Sequence, residues 1–214
     1  MDTLELFPLQ DVSTLYFEER ARRRGFSAIA GIDEAGRGPL AGPVVAAAVI
    51  LPAGFILPGL TDSKQVSEKK RCELFPLIRD RATAVGLGIS HAEEIDQINI
   101  LQATLRAMTL AVKRLRVQAD YLLIDGITPL PLSLDQETLK KGDSRSLSIA
   151  AASIVAKVVR DRMMCGYDRR YPGYGFSGHK GYGSREHLEA IARLGPTPIH
   201  RRTFRGVREH VEEV

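Results

Sequence analysis

The chain has 214 residues, 44% of them hydrophobic, which is enough for one globular domain with a buried core. Its net charge of +4 permits a nucleic-acid partner without requiring one. Two distant cysteines, Cys72 and Cys165, argue against a disulfide scaffold or a zinc site. The N-terminus lacks the basic start of a secretory signal, and the longest apolar run, 44–51, is too short to span a membrane, so we expect a cytoplasmic protein.

The chain is organised around the stretch 28–51. Residues 3–24 before it are predicted to form a helix that becomes basic towards its C-terminal end, as the helix dipole favours. Within the stretch, one apolar run ends in Asp33 and Glu34, a turn rich in glycine and proline follows, and a second apolar run begins. We interpret these runs as two buried strands, 28–33 and 43–51. Because unpaired buried charge is costly, the two acids indicate a functional site.

Helices and a few strands are predicted for the rest of the chain. A helix should begin at Ser67 and run to about Ala82, with Pro76 kinking or dividing it. The patterns that follow predict a strand at 84–90, helices at 91–99 and 100–115, a strand at 121–124 and a long helix at 146–165. Residues 171–184 mix five glycines with aromatic side chains and should form a loop. Ser184 is a suitable N-cap for a last helix to about Leu194.

Acidic residues recur at predicted strand ends and nearby turns, each close to a glycine: Asp33 with Glu34, Asp125 and Asp143. Several carboxylates in one place repel one another unless a cation is present, and Mg²⁺ and Mn²⁺ prefer such oxygen ligands. A pair of these ions can support displacement at a phosphodiester. The alternative is that the acids form turns and helix caps. Adjacent strand residues point to opposite faces, so Asp33 and Glu34 should share a site only if the strand ends or bulges there.

Five segments in this order resemble bacterial ribonuclease HII, the type 2 ribonuclease H. They are GIDEAGRGPLAGPV at 31–44, DSK at 62–64, IDG at 124–126, KGDSRSLSIAAASIVAKVVRD at 141–161 and YPGYGFSGHKGY at 171–182. The resemblance implies an α/β fold, a ribonuclease H-like mixed five-stranded sheet flanked by helices with a C-terminal helical extension. It also implies a single domain over 1–214, with an N-terminal helix at about 1–27 and a substrate loop and helical extension at about 171–214.

The activity that the resemblance implies is metal-dependent endonucleolytic hydrolysis of the RNA strand of RNA–DNA hybrids. Nicking on the 5′ side of a single ribonucleotide in duplex DNA is also implied, leaving 5′-phosphate and 3′-hydroxyl ends. The catalytic, metal-binding acids would be Asp33, Glu34, Asp125 and Asp143, and the metal Mn²⁺ or Mg²⁺. The partners would be RNA–DNA hybrids and duplex DNA with embedded ribonucleotides. The tail lacks the paired aromatics of a sliding-clamp peptide, so no such peptide is recognised, and we expect no membrane partner and a monomer.

The resemblance also suggests which residues contact the substrate: Gly36, Arg37, Gly38, Lys64, His179, Lys180 and Tyr182. The glycines would let the backbone approach a ribose 2′-hydroxyl. Lys64 would contact phosphate, and the ring of Tyr182 would stack on a sugar or base. The alternatives are a plain turn at 36–38 and solvated side chains elsewhere. For Lys157, two interpretations are equally supported: a functional contact, or an aliphatic stem buried against the protein with its ammonium group in solvent. The remaining histidines, His91, His187, His200 and His210, are expected on the surface without a role.

Two other functions fit parts of the same sequence. A non-catalytic module that binds hybrids would gain nothing from four acids, since negative charge repels phosphate. A different phosphoryl-transfer enzyme is also conceivable, but the sequence contains no nucleotide-binding P-loop. The acids therefore favour the nuclease.

Overall fold

A mixed sheet of five strands forms the centre of the computed structural model, which describes residues 14–60 and 66–211. The strands, in chain order, are β1 (Ile29–Ala35), β2 (Val44–Ile50), β3 (Ala84–Ser90), β4 (Tyr121–Asp125) and β5 (Asp135–Leu139). They lie side by side in the order β3-β2-β1-β4-β5. The first three pair antiparallel, whereas β4 runs parallel to both β1 and β5. The prediction of a mixed five-stranded sheet is confirmed.

Helices cover both faces of this sheet. They are α1 (Tyr16–Arg23), α2 (Glu68–Arg81), α3 (Ala92–Lys113), α4 (Leu147–Arg170), α5 (Phe176–His179) and α6 (Arg185–Leu194), with 3₁₀ turns at Gly142–Ser144 and Arg208–His210. On one face, alanines of α3 pack against Ala46 and Ala48 of β2. On the other, α2 and α4 pack against Ala47 and Val49. None of the helices in the described ranges is long and apolar enough to cross a bilayer.

A glycine in β1 lets α4 approach the sheet closely. A Cβ atom at Gly31 would lie 2.1 Å from the carbonyl carbon of Ser148, at the start of α4. No side chain fits that gap, so the helix backbone packs directly against the strand. The same helix carries Ser153 and Lys157 on its next turns. The close contact therefore fixes how far these two side chains lie from the end of β1.

The predicted break between two helices is real and lies at Asn99. The helix continues on both sides, but Asn99 itself has φ 67° and ψ 164°, which is not helical. Its Oδ1 accepts hydrogen bonds from the N–H groups of Leu101 and Gln102, as an N-cap does. In contrast, α2 runs without interruption through Pro76, so the proline does not divide it. Leu74 and Ile78 on either side are buried against the core, which offsets the one lost hydrogen bond.

The weakest sequence pattern belongs to β5, which was not predicted from the residues themselves. Its sequence, DQETL, is polar and mostly half-exposed because the strand lies at the edge of the sheet. The predicted helix at 3–24 corresponds to α1 only at 16–23, and its first part lies outside the described residues. The predicted helix at 146–165 is confirmed and continues to Arg170.

The C-terminal part is helical, as expected. Ser184 caps α6, its hydroxyl accepting a hydrogen bond from the His187 backbone N–H, and the helix ends at Leu194 before Gly195. The predicted loop at 171–184 contains the single turn α5. Tyr174 and Phe176 of this loop pack with Met164 of α4 and Ala190 of α6 in a separate small core. The loop is thereby attached to the main body rather than free in solvent.

Candidate active site

The carboxyl ends of β1 and β4 bring two predicted acids to one edge of the sheet. These strands are parallel and in register, with Ile32 opposite Ile124, so Asp33 and Asp125 follow as the next residue of each strand. Residues at matching positions of neighbouring strands point to the same face. For Asp33 this is the α4 face, because its partner in the β2 ladder, Ala47, belongs to the core beneath α4.

Asp33 lies in a buried and strongly polar environment, with only 5% of its surface exposed. Its Oδ1 accepts a hydrogen bond from the Glu34 N–H at 2.7 Å, and the Ser153 side chain of α4 also bonds to the carboxylate. Burial, and then the negative charges of Glu34 and Asp125, raise the pKa of Asp33 well above its ordinary value. Acids that repel each other in this way are stabilised by a bound cation.

Glu34 reaches the same place from the other face of β1. The strand keeps its ladder with β2 through Ala35, without a bulge, so Asp33 and Glu34 point to opposite faces. Both nevertheless line one cavity of about 280 Å³. The strand ends at Ala35, one residue after Glu34, so our expectation that a shared site requires the strand to end or bulge there is confirmed. The cavity lies at the carboxyl end of β1, where side chains from both faces of the sheet can reach it.

Asp143 is held in the 3₁₀ turn before α4 and is almost fully buried. The neighbouring Gly142 N–H donates to Asp125 Oδ1 at 2.6 Å, which ties this turn to the end of β4. Asp143 Oδ1 accepts from the Ser144 N–H at 3.1 Å. Asp33, Glu34 and Asp125 line the cavity, whereas Asp143 is not among its lining residues. The structure thus brings three of the four predicted acids together and places the fourth in a turn bonded to the third.

The donor set of this cavity fits Mg²⁺ or Mn²⁺. All three acids offer oxygen, which these ions prefer, and their mutual repulsion favours a divalent cation between them. In the described ranges, no three His, Cys, Asp or Glu side chains form a ready-made ligand group. Mg²⁺ commonly takes only one or two carboxylates and completes its coordination with water and substrate phosphates. An open, partly preformed arrangement is therefore compatible with such an ion.

Basic side chains from two helices line the same cavity. Lys157 of α4, which the sequence left undecided, is one of them, and its Nζ donates to Asp161 Oδ1 at 2.8 Å. Arg71 of α2 is another, and it donates to the Val66 carbonyl. Sequence reasoning missed Arg71 and Ser153 as cavity residues. Ser153 lies within the quoted 141–161 motif, one helical turn before Lys157, and that spacing was the available signal.

The turn at Gly36–Gly38 forms one wall of the cavity. Gly36 has φ +98°, a conformation that favours glycine, and a Cβ there would lie 2.0 Å from Arg160 Nε. Arg37 is exposed, and its Nη1 lies 3.5 Å from Glu34 Oε1. All three predicted residues of this turn therefore lie beside the acids.

Two buried arginines hold this turn, and sequence reasoning missed both. Arg201 donates to the carbonyl of Arg37 at 2.7 Å, to Gly42 at 3.1 and 3.0 Å, and to Gly36. Arg160 donates to the carbonyls of Pro43, Ala41 and Lys180 at 3.0, 3.1 and 3.0 Å. Burial, together with the positive charge of Arg160, lowers the pKa of Arg201 to about 9. The two guanidinium groups therefore connect the turn to the loop at Lys180 through backbone carbonyls.

Tyr182 also lines the cavity, next to this turn, with 49% of its surface exposed. Its ring faces Gly38, where an added Cβ would lie 3.7 Å from Cε1. His179 and Lys180 do not line the cavity. His179 Nε2 lies 2.7 Å from the Tyr174 carbonyl, and Lys180 Nζ lies 3.7 Å from Cys165 Sγ and 3.9 Å from Glu68 Oε1. Their substrate contacts stay a prediction, as does that of Lys64, which lies outside the described residues.

Two histidines contradict the sequence interpretation. His187 and His200 were expected on the surface, but they are 0% and 1% exposed. Both rings belong to the aromatic core around Phe176, and each nitrogen has a hydrogen-bond partner, which is why polar rings are tolerated there. His91 and His210 are exposed, as expected.

A family model described as Ribonuclease HII matches residues 30–207. The chain belongs to the ribonuclease HII family. As a member, it is an endoribonuclease that hydrolyses the RNA strand of RNA–DNA hybrids. The resemblance noted from the motifs is thereby confirmed, and the matched range includes both the acidic cavity and the loop that carries Tyr182.

Individual members and structural neighbours agree with this assignment. Ribonuclease HII of Syntrophotalea carbinolica is 67% identical over 208 residues, which cover 97% of this chain and 100% of that protein. The crystal structure of ribonuclease H2 from Pyrococcus horikoshii OT3 superimposes with a TM-score of 0.71 at 28% identity, covering 85% of this chain and 95% of that one. Bst-RNase HIII in complex with Mn²⁺ has a TM-score of 0.64 at 18% identity, covering 86% and 69%, and shares the fold.

Proposed function

We propose that the cavity at the ends of β1 and β4 is a metal-dependent nuclease site that also nicks duplex DNA on the 5′ side of a single ribonucleotide. The observation that carries this proposal is that Asp33, Glu34 and Asp125 line one cavity although Asp33 is buried, and the raised pKa of Asp33, caused by burial and by the other two acids, agrees with it. Repelling acids are unfavourable for stability and unsuitable for binding phosphate alone, so a cation is the natural reason for them. The products would be a 5′-phosphate and a 3′-hydroxyl.

The acids would hold the ion and the basic residues would hold the substrate. Asp33, Glu34, Asp125 and Asp143 would provide oxygen ligands, and Ser153 fixes the carboxylate of Asp33. Bound Mg²⁺ or Mn²⁺ would activate the attacking water and stabilise the charge on the leaving oxygen. Lys157 and Arg71 line the same cavity and would offset the charge of the incoming phosphodiester.

Recognition of a ribonucleotide is assigned to the Gly36–Gly38 turn. The carbonyl oxygens of Gly36 and Arg37 already accept hydrogen bonds from Arg201. We therefore expect backbone N–H groups of the turn to meet the 2′-hydroxyl, the group that distinguishes RNA from DNA. The ring of Tyr182, beside Gly38, would stack on the next sugar, where a deoxyribose fits without an extra hydroxyl.

A nicking assay with three labelled duplexes tests this proposal. The first contains one ribonucleotide, the second only deoxynucleotides, and the third a single 2′-O-methyl nucleotide at the same position. With Mg²⁺ or Mn²⁺ we expect one cut, 5′ to the ribonucleotide, in the first duplex only, and none after chelation. A cut on the 3′ side, or equal cutting in chelator, would contradict the proposal.

The same assay separates the alternative functions. A module that only binds hybrids would shift the labelled duplex in a gel without cutting it. A phosphoryl-transfer enzyme of another kind would leave all three duplexes intact and unshifted. Retained binding together with metal-dependent nicking is expected only of the nuclease.

We also infer a single domain over 1–214, a monomer and a cytoplasmic location. The shared cores that join α1, the sheet and α4 support a single domain. Light scattering of the purified protein would give its mass, and one cooperative unfolding transition would support the domain assignment.

A further inference from the structure

A chain of buried imidazoles lies directly beneath Tyr182. His187 Nδ1 is 2.8 Å from the Tyr182 carbonyl oxygen, and His187 Nε2 is 3.0 Å from His200 Nε2. At the far end, His200 Nδ1 lies 2.8 Å from both the backbone nitrogen and the hydroxyl of Thr197. A continuous hydrogen-bonded path therefore connects Thr197, after α6, to the backbone of Tyr182 at the cavity.

The partners fix which ring nitrogen carries each proton. The Tyr182 carbonyl can only accept, so His187 Nδ1 must donate and its Nε2 must accept. The Thr197 N–H can only donate, so His200 Nδ1 accepts and its Nε2–H donates to His187 Nε2. The hydrogen bonds therefore all run in one direction, from Thr197 through His200 and His187 to the Tyr182 carbonyl, and both rings are neutral. An added proton on His187 Nε2 would place two N–H groups 3.0 Å apart, facing each other, and an added proton on His200 Nδ1 would face the Thr197 N–H at 2.8 Å.

Packing holds the two rings in this arrangement. His179 stacks on His187 with ring centroids 4.4 Å apart, and Phe176 packs edge-on against His187 at 5.4 Å. Tyr174 packs on His200 at 5.3 Å. Burial lowers the pKa of both His187 and His200 to about 4, in agreement with neutral rings. Beyond packing, His187 adds a hydrogen bond to the Tyr182 carbonyl, and His200 adds a hydrogen bond that fixes the proton of His187.

We propose that His187 and His200 are positioning residues that orient Tyr182 and so determine the preference for a deoxyribose after the ribonucleotide. This inference rests on the proposed role of Tyr182. The His187 Nδ1–H and the Ser184 backbone N–H both donate to the Tyr182 carbonyl, each at 2.8 Å. Without the histidine, only the Ser184 bond within the loop itself remains on that oxygen. A displacement of the ring by about 1 Å is enough to lower the cleavage rate roughly 100-fold.

The test compares two variants of His187 on two substrates. His187→Phe keeps a ring but cannot donate to Tyr182, whereas the side-chain N–H of His187→Asn lies close to where Nδ1–H lies. The substrates are a duplex with one ribonucleotide and a continuous RNA–DNA hybrid, which has no deoxyribose after the cut. We expect His187→Phe to lose at least about 10-fold more single-turnover rate on the first than on the second, and His187→Asn to recover most of that loss.

A double-mutant cycle shows whether His187 acts through Tyr182. In the Tyr182→Ala background, His187→Phe should change the substrate preference by less than about twofold, because its target is already absent. Phe176→Leu is the matched control, because it touches the same rings without a hydrogen bond to Tyr182. It should lower the melting temperature while leaving the ratio of the two rates unchanged.

Three results would overturn this inference while leaving the proposed role of Tyr182 in place. The first is a folded His187→Phe variant whose ratio of cleavage rates on the two substrates equals that of the wild type. The second is that the effects of His187→Phe and Tyr182→Ala on this ratio add in the double mutant. The third applies even if the variant fails to fold: nitrogen NMR of the wild-type rings that places the His187 proton on Nε2 rather than Nδ1. If Tyr182→Ala alone keeps the wild-type ratio, the proposed role of Tyr182 fails and this inference fails with it. If Tyr182→Ala changes the ratio and His187→Phe does not, only this inference fails.

Discussion

A substitution at Asp125 should affect cleavage and the stability of the fold in different ways. It faces Asp33 across neighbouring strands and contributes to the repulsion that raises the pKa of Asp33. We expect Asp125→Asn to abolish cleavage while leaving the melting temperature, measured without metal, equal or higher. Its amide oxygen can still accept the Gly142 N–H, so the local structure should survive.

The control for this prediction is Asp135→Asn, which removes an exposed acid from the first position of β5. Turnover and melting temperature should both stay at the wild-type level. Cleavage by Asp125→Asn at close to the wild-type rate would exclude a central role for this carboxylate. Divalent metal should raise the melting temperature of the wild-type protein and have a smaller effect on Asp125→Asn.

For Tyr182 the prediction concerns the ring face. Because stacking uses the ring, Tyr182→Phe should keep cleavage of a single-ribonucleotide duplex within a few-fold, whereas Tyr182→Ala should lose about 100-fold. Binding measured by fluorescence anisotropy should change far less than the rate in Tyr182→Ala. Tyr16→Ala, another exposed tyrosine outside the cavity, should change neither. If Tyr182→Phe lowers the cleavage rate as much as Tyr182→Ala does, the hydroxyl group of Tyr182, and not the face of its ring, contacts the substrate.

At the scale of elements, the wall of the site formed by 36–43 depends on a residue from the far end of the chain. Arg201 reaches the carbonyls of Gly36, Arg37 and Gly42 from three different nitrogens. A lysine has a single nitrogen and cannot reproduce this fork. We therefore expect Arg201→Lys to lower the free energy of unfolding by about 1–3 kcal/mol and to reduce cleavage.

Urea denaturation and single-turnover cleavage would measure these two effects. Arg208→Lys is the matched control, because Arg208 is exposed and pairs with its sequence neighbour Glu209 at the surface. It should change the free energy of unfolding by less than about 0.5 kcal/mol. Equal behaviour of the two variants would show that Arg201 does not support the turn.

The same elements show what the sequence could and could not reveal. Apolar runs predicted β1 and β2, and the acids at the end of β1 pointed to the cavity from the residue pattern alone. The polar edge strand β5 carried no such pattern and came only from the family resemblance. Arg201 and His200 form contacts that depend on packing between distant segments, and no local pattern separates them from surface residues. The sequence therefore predicts the acids well and the side chains that support the two loops poorly.

At the scale of the whole molecule, the buried histidines should make stability depend on pH. Their pKa of about 4 lies below the ordinary 6.5, so between these values the unfolded chain binds protons that the folded chain cannot. Stability should be constant above about pH 6.5 and fall as the pH falls towards 4, since each unit of pKa difference is worth about 1.4 kcal/mol. His179 is the third imidazole facing the pair, and Glu93, Asp96 and Arg202 share a cavity with His200.

Asp33 opposes this trend, because its raised pKa makes the fold more stable as the pH falls. The measurement is therefore best made in an Asp33→Asn background, by urea denaturation at pH 7 and pH 5. We expect the loss of stability at pH 5 to shrink when His187→Phe is added, even though that variant is less stable overall. A pH dependence identical with and without His187 would contradict the assignment.

The parallel pairing of β1 with β4 also determines when the complete active site can form during synthesis of the chain. β1, β2 and β3 are consecutive and antiparallel, so they can assemble early from local contacts. Asp125 arrives only with β4, about 90 residues after Asp33, and Lys157 and Tyr182 come later still. A chain emerging from the ribosome can thus build three of the five strands with no complete active site. We expect hydrolysis to appear only after the loop at Tyr182 has docked, which would keep unfinished chains harmless to nucleic acids nearby.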